Sequence, residues 1–540
     1  MPANLPTSEG QDRAVAAIVL TAGSVWRLWL AHTTFFNTDE AWHYYLANQA
    51  SVWLAYKASL TISHPPLLIL ILHFWKALGT SNLILRLPSV IAGTVFCWIF
   101  YRWLDEVAGK ASAWAGLILV TFLGPMIATS AEVRQNPLLL IFAMGAAWLL
   151  ERALARESVR DMLASSLCLC LAMLSHYSAF FIAGALGIYA IVRIIQRMPL
   201  WRVVMVWLAG ETAGVAVAAF LYKTHLGQLD HLLSQPLLPQ QYLYSSYFHQ
   251  GTDHLVPFLY RGTFGVFRFI FGETQIGQLA AVLFVAGIIL LFFRRESGAN
   301  VPSRPLGVLL LLPFFLNWLA AAAGEYPYGR MRQCMFLAIF ALAGVSTCLS
   351  WMARERPIPA AAMAFGVVLL CLAFGTPQDR DVLPLADQRH EHMDAAIQFI
   401  RSEVAPSDAI FTDQATSYQL RHYLCSQKPV DIEDLGDGLS RFHCEGFKVY
   451  FSGPDDGALT ADALSKRWHD GDGRFDLNEL GARVWVVQGG WASGLGETLR
   501  TLPIFSQVEV HSFGRYLEVF QLPRPRPIAT RTVESILHGD

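Results

Sequence analysis

"QCMFLAIFALAGVSTCLSWMA", residues 333–353, runs without a single formal charge, between Arg330 and Arg332 on one side and Arg354 and Arg356 on the other. A helix needs about 20 apolar residues to cross the hydrocarbon core of a bilayer, so this run reads as a membrane span. Ten further long apolar runs occur, at 14–26, 87–101, 111–131, 137–150, 162–175, 178–192, 203–222, 276–293, 306–323 and 357–375. Of 540 residues, 54% are hydrophobic and only 15% are charged, against about 25% charged in a soluble domain. A net charge of -2 gives no bias toward nucleic acid or acidic partners. The pattern predicts an all-α polytopic membrane protein over residues 1–375, with about eleven transmembrane helices.

Arginine placement orients it, because Lys and Arg gather in cytoplasmic loops. Arg102 with Lys110, then Arg152, Arg156 and Arg160, then Arg193, Arg197 and Arg202 fall in alternate loops, followed by Arg294, Arg295, Arg304, Arg354 and Arg356. They share one face if the N-terminus is cytoplasmic. The first apolar run then reads as a retained anchor, and segments 31–86, 132–136, 223–275, 324–332 and everything after 376 lie outside.

The tail is a different kind of sequence, holding 25 of the 42 acidic residues. "DAAIQFIRSEV" (394–404) has helical spacing, "DAIFTD" (408–413) reads as a strand and "SYQLRHYL" (417–424) as a helix. "KVYF" (448–451) and "ARVWVVQGG" (482–490) read as buried strands, and "YLEVFQL" (516–522) as an edge strand. Residues 376–540 are therefore expected to form a soluble, extracytoplasmic α/β domain with a mostly parallel sheet. The Gly471–Gly473 piece lacks the context of a dinucleotide site. Six of the eight cysteines sit in or beside apolar runs, and Cys425 and Cys444 are the only two in the tail, so a disulfide between them stays open.

The ionisable residues cluster at the expected outer side. "FFNTDEAWHYY" (35–45) places Asp39 and Glu40 just after the first span. "SHPPLLILILHFWKALG" (63–79) carries His64, and "RLPSVIAG" (86–93) opens the second span. "SAEVRQNPLLL" (130–140) supplies Glu132 and Arg134, "SHYSAFF" (175–181) His176 and Tyr177, and "EYPYGRMRQ" (325–333) Tyr328, Arg330 and Arg332. Ionisable groups at the mouths of spans are functional candidates by default. Structural readings stand beside this one. Asn37, Thr38 or Asp39 could cap a helix starting near Glu40, Arg134 could snorkel as an interfacial anchor, and His176 with Tyr177 could cap a helix pair.

The ordered set of motifs resembles the type C glycosyltransferases that use polyprenyl-phosphate sugars, a group including protein O-mannosyltransferases, aminoarabinose transferases and bacterial relatives. The resemblance covers about residues 14–200, and 324–340 more loosely. It implies an inverting glycosyltransferase of the cell inner (plasma) membrane that moves a sugar from a polyprenyl-phosphate donor to an acceptor hydroxyl on a glycan, lipid or protein. It assigns the general base to Asp39, with Glu40 beside it. Arg134, Arg330 and Arg332 become candidates for the donor phosphate, with His64, Glu132, His176, Tyr177 and Tyr328 around them. No metal site is assigned, although a divalent ion near Glu132 stays open. The rival class is a transporter or flippase of lipid-linked sugars, which would carry charges near the bilayer midplane and repeated halves.

Overall fold

The computed structural model describes residues 9–227, 243–293, 303–375, 389–406, 408–425, 430–436, 438–452, 483–489, 498–499, 501, 508–514 and 517–522. Arg294, Arg295, Gly471–Gly473 and positions 228–242 of the expected loop 223–275 lie outside the described residues. The chain divides into two compact units, one of residues 1–32 and 46–384, the other of residues 33–45 and 385–540.

The first unit is helical, and each of the eleven apolar runs forms a helix. Among the described residues, nine helices are long and apolar enough to cross a membrane, and a bent pair makes a tenth. The Val159–Ser175 helix, at 17 residues, falls short of the usual length, so the expected eleven spans become nine or ten. The chain is a multi-pass integral membrane protein. Its centre is the Arg332–Met352 span, 94% buried, whereas the Trp201–Leu226 span is 17% buried and lies at the rim. Small residues bring the inner helices together. A Cβ on Gly287 would stand 2.2 Å from the Gly344 carbonyl oxygen, so glycine there lets the Thr274–Phe293 and Ala338–Met352 helices touch backbone to backbone.

Two expected outer segments hold helices, as the sequence predicts for the first of them. Segment 31–86 contains Thr38–Ala47, Val52–Ser59 and Leu67–Trp75. The last has Pro66 at its N-cap, so the two prolines do punctuate the chain there. Segment 223–275 contains the Leu255–Phe271 helix, which buries Phe258, Gly262, Val266, Phe267 and Ile270.

The bent pair is Lys110–Phe122 and Gly124–Ser130, which meet at 59°. Leu123 between them is extended, and Pro125 follows. Proline has no N–H to donate to the Thr121 carbonyl four residues back, so the ladder fails there. A freed carbonyl inside a bilayer needs another donor. Arg27, 1% exposed on the first helix, supplies it: Nη1 donates to Thr121 O and Nη2 to Val120 O, each at 3.1 Å. The short helix beyond the bend delivers the chain to Glu132 and Arg134.

The second unit is a seven-stranded sheet of β1 (Ala409–Asp413), β2 (Ile432–Gly436), β3 (Leu439–Cys444), β4 (Phe447–Ser452), β5 (Val484–Gly489), β6 (Glu509–Ser512) and β7 (Leu517–Leu522). The order is β2-β3-β4-β1-β5-β7-β6. β1 lies parallel to β4 and β5, while the flanking pairs are antiparallel. The sheet is therefore mixed rather than mostly parallel, and the closing strand β7 lies inside it with β6 at the edge. The helices His390–Glu403 and Gln414–Tyr423 pack on it. Phe35, Met393, Ile397, Ile400, Leu420, Leu424, Val449, Trp485 and Val519 form a shared core.

Cys425 and Cys444 are bonded, with Cα atoms 5.1 Å apart. The bond ties the end of the Gln414–Tyr423 helix to the end of β3 across 19 residues of chain. Closing a loop of that length stabilises by about 3 kcal/mol in the chain-entropy description. Reductant, or a Cys425→Ser/Cys444→Ser double substitution, should lower the unfolding temperature of this unit, followed by circular dichroism in the β region. Identical melts with and without reductant would show that the bond adds nothing.

Candidate active site

In the membrane unit, residues from distant motifs converge at one end of the bundle. The Glu9–Thr33 helix ends there, and Arg86 Nη1 donates to its Ala31 carbonyl at 2.9 Å. One turn on, Ser89 Oγ lies 3.3 Å from both the backbone N and the backbone O of Arg134. The "RLPS" and "E.R" motifs thus meet through a single hydroxyl. Arg134 Nε donates to Glu132 Oε2 at 3.1 Å, and Arg332 Nη1 approaches the same oxygen at 3.7 Å. Asn136 Nδ2 donates to the Arg332 carbonyl at 3.0 Å and fixes the second arginine's backbone.

Burial sets the electrostatics. The side chains of Glu132, Arg134 and Arg332 are 3%, 6% and 16% exposed. Two guanidiniums thus meet one carboxylate oxygen away from bulk water. The planar fork of arginine has a geometry that suits phosphate. Arg330, half-buried, stands two residues before Arg332. Among the described residues, no cluster of three or more His, Cys, Asp or Glu side chains has the spacing to hold a metal ion.

The two expected histidines come together: the rings of His64 and His176 have centroids 5.6 Å apart. His176 follows the Val159–Ser175 helix, and its Nδ1 accepts from the Ser178 backbone N–H at 3.1 Å, with Ser178 Oγ at 2.8 Å. Burial pushes its imidazole down to about 4, so it is neutral near pH 7. His176 is therefore a neutral acceptor here, close to His64 as the sequence grouped them. Beside it, Tyr177 OH pairs with His225 Nδ1, and His225 Nε2 lies 3.0 Å from the Ser59 carbonyl. A carbonyl only accepts, so Nε2 carries the proton and the tyrosine hydroxyl is the donor to Nδ1. Tyr328 is 2% exposed, and its hydroxyl sits between Trp318 Nε1 at 2.7 Å and Thr263 Oγ1 at 2.9 Å. Its ring lies where Gly262 has no side chain, since a Cβ there would come within 2.3 Å of it. Tyr328 anchors the loop that carries Arg330 and Arg332.

Asp39 and Glu40 belong to the other unit. Their helix, Thr38–Ala47, is capped by Asn37. The Glu40 N–H donates to Asn37 Oδ1 at 3.0 Å and the Asn37 N–H donates to Glu40 Oε2 at 3.1 Å. That reciprocal pair is a capping box, which gives the Glu40 carboxylate, 0% exposed, a place in the helix start. Asp39 is half-buried and is not the cap.

Sequence reasoning missed Arg27, Ser89 and Asn136. A lone arginine closing an apolar run, with Gly-Pro in a later run, was the available signal for the first. It also expected no paired acids and bases at the opposite end of the bundle. Glu151 and Arg193 are such a pair, at 3.0 Å, with the Tyr189 hydroxyl on the same carboxylate. They stand roughly 20 Å along their helices from the Arg134 and His176 ends. This buried triad joins Asn136–Arg156 to Ala179–Arg197.

Residues 63–222 match the family model described as dolichyl-phosphate-mannose-protein mannosyltransferase. That segment holds His64, Glu132, Arg134, His176 and Tyr177. The crystal structure of ArnT from Cupriavidus metallidurans bound to undecaprenyl phosphate is similar, with a TM-score of 0.50 and 13% identity over 94% of this chain and 96% of that one. The Archaeoglobus fulgidus oligosaccharyltransferase tethered to an acceptor peptide gives 0.43 at 12% identity, over 76% and 63%. The arabinosyltransferase EmbB from Mycobacterium smegmatis gives 0.39 at 14% identity, over 69% and 42%. A comparison with curated proteins finds none that matches.

The His176 environment gives a pH dependence with a definite sign. The ordinary imidazole value is 6.5 and the buried one about 4, so between those values the unfolded chain binds the proton and the folded chain does not. Stability is complete above pH 6.5 and is lost as pH falls toward 4, by up to about 3 kcal/mol. His176→Gln should flatten part of the fall in melting temperature between about pH 7 and pH 4.5, measured by scanning fluorimetry in detergent. Equal slopes would exclude His176 as a source.

The chain therefore shares the fold of ArnT, and residues 63–222 within it match the mannosyltransferase family model.

Proposed function

We propose that this chain is an inverting glycosyltransferase that takes a sugar from a polyprenyl-phosphate donor and passes it to an acceptor hydroxyl on the outer face of the cell membrane. The observation that carries the reading is the buried cluster in which the guanidiniums of Arg134 and Arg332 both meet the Glu132 carboxylate. A sugar brings no charge to such a site, whereas a phosphodiester that becomes a departing phosphomonoester brings increasing negative charge. Stabilisation that grows toward the transition state is what accelerates the step. The ArnT structure, which shares this fold, is bound to undecaprenyl phosphate, which supports the same class of lipid for this chain.

In the proposed step the Asp39 carboxylate takes the proton of the acceptor hydroxyl, and that oxygen attacks the anomeric carbon. The bond from that carbon to the phosphate oxygen breaks, and polyprenyl phosphate leaves with the electron pair. One displacement inverts the anomeric centre. Arg134 and Arg332, with Arg330 beside them, hold the phosphate, and Glu132 orients Arg134. Their hydrogen bonds and packing give Glu40, His64, His176, Tyr177 and Tyr328 the work of shaping the site.

The bonded Cys425–Cys444 pair supports an oxidising compartment for residues 376–540, in line with the arginine asymmetry that puts the N-terminus in the cytoplasm. No transporter-like feature outweighs this. Glu151 and Arg193, the other buried charges noted, are fully paired with each other.

The test uses purified full-length chain and a panel of undecaprenyl-phosphate hexoses and pentoses, with release of undecaprenyl phosphate as the signal. Because Asn37 is the cap, Asp39→Asn leaves the helix start intact and should keep both melting temperature and affinity for undecaprenyl phosphate. Release should fall by about 10²–10⁴-fold, the usual contribution of a general base. Arg134→Lys keeps the charge but loses the fork, and should weaken undecaprenyl phosphate binding by about tenfold. Near wild-type release by Asp39→Asn would remove Asp39 as the base. Unchanged lipid affinity in Arg134→Lys and in an Arg330→Ala/Arg332→Ala double variant would remove the phosphate assignment.

A further inference from the structure

Residues 33–45, though they follow the first span, group with the α/β unit. The Phe35 side chain lies in the core of that unit with Met393, Ile397, Leu420 and Leu424, and Thr34 bridges Arg389 as an antiparallel pair. The backbone of the next residue is held by side chains. The Phe36 N–H donates to the Tyr423 hydroxyl at 2.6 Å, and Gln419 Nε2 donates to the Phe36 carbonyl at 2.9 Å. A buried peptide must have partners for both groups. Here one helix supplies both, so the helix sets where this peptide sits.

Rings complete the hold. The Phe36 ring stacks on His422 at 4.6 Å and 15°, and Tyr44 meets the same imidazole edge-on at 5.4 Å. Trp42 stacks on Tyr418 at 5.9 Å, and the Arg421 guanidinium lies 4.9 Å from the Tyr45 ring. Gln419, Arg421, His422 and Tyr423 all belong to the Gln414–Tyr423 helix, whose far end is tied down by the disulfide at Cys425.

We propose that the Gln414–Tyr423 helix is the positioning element of the proposed base: Gln419, His422 and Tyr423 fix the Phe36 peptide and hence the helix start that carries Asp39. The inference rests on Asp39 being the base. Phe36 precedes the cap residue Asn37, and Asp39 lies in the first turn, so a shift of the Phe36 peptide moves the carboxylate with little slack. A general base works only within hydrogen-bond reach of its proton, and a misplacement of about 1 Å can cost roughly 10²-fold. In this account the α/β unit contributes the accuracy of the acid, and Gln419, His422 and Tyr423 are positioning residues, not catalytic ones.

The experiment compares wild type, Tyr423→Phe, His422→Ala, His422→Phe and Asp39→Asn as full-length chains in detergent. The readouts are amide exchange over residues 33–45, undecaprenyl phosphate affinity, and kcat and KM with whichever panel donor the wild type uses. Tyr423→Phe and His422→Ala should exchange faster over 34–40 and lose kcat by about tenfold or more, with lipid affinity and donor KM unchanged. His422→Phe keeps a stacking ring and should recover most of the rate. Should His422→Ala fail to fold, Tyr423→Phe, which removes one hydroxyl, decides the matter. Unchanged exchange in the folded variants, or faster exchange at full kcat, overturns the proposal. Asp39→Asn separates the two ideas: transfer that survives it sinks the base reading, whereas transfer lost there but kept in Tyr423→Phe sinks only the positioning.

Discussion

Glu132, Arg134 and Arg332 are held together where water cannot solvate them, and much of the membrane unit is arranged to make that tolerable. Two guanidiniums share one carboxylate oxygen, at 3.1 and 3.7 Å. Taking charges out of water costs several kcal/mol each, and a buried ion pair rarely stabilises a fold more than apolar packing would. The pair needs further hydrogen bonds, which arrive through Ser89 on the Arg134 backbone and Asn136 on the Arg332 carbonyl. Three segments far apart in sequence are thereby locked to one point. Two planar donor forks at one buried point have the geometry that binds phosphate, which is why the cluster is proposed as a ligand site.

The bilayer imposes a second constraint on the same region. A helix that breaks at Leu123 and Pro125 frees carbonyls that water would satisfy in a soluble protein. Inside the hydrocarbon they need a donor from another helix. Arg27 gives its guanidinium to the carbonyls of Val120 and Thr121, where the C-terminal end of Lys110–Phe122 also carries partial negative charge. The bend aims Gly124–Ser130 so that its end delivers Glu132. An arginine that looks misplaced in an apolar span is thus part of what shapes the site.

Legibility followed the reach of each physical signal. Apolar runs of bilayer length were unambiguous, because hydrocarbon admits little except helices; only the count slipped, where Val159–Ser175 is short. The helix Leu255–Phe271 was read as loop because its arginines break the apolar run, although Phe258, Gly262 and Val266 fall on one face. In the α/β unit the buried strands were legible and their directions were not. Alternation and composition say nothing of pairing sense. One local signal was available: Glu445 and Gly446, both with positive φ, join β3 to β4 as a two-residue hairpin. The contacts that matter at the candidate site, Ser89 with Arg134 and Arg27 with Thr121, link residues 45 and 94 positions apart. No spacing rule reaches that far.

The acidic pair shows how one dipeptide can divide its labour. A carboxylate at the third position of a helix can reach back to the cap residue, and Glu40 does so with Asn37. Asp39, one residue earlier and on another side of the turn, is not the cap. The box also constrains Asp39, since it fixes the first turn on which that side chain stands. Phe36, immediately before Asn37, is held at both its N–H and its carbonyl. A side chain needed only for helix stability would not require its backbone to be clamped two and three residues upstream. A group that must meet a proton within about 3 Å, the role proposed for Asp39, does. The clamp and the capping box both act on this helix start, and on the proposed reading the carboxylate they position is Asp39.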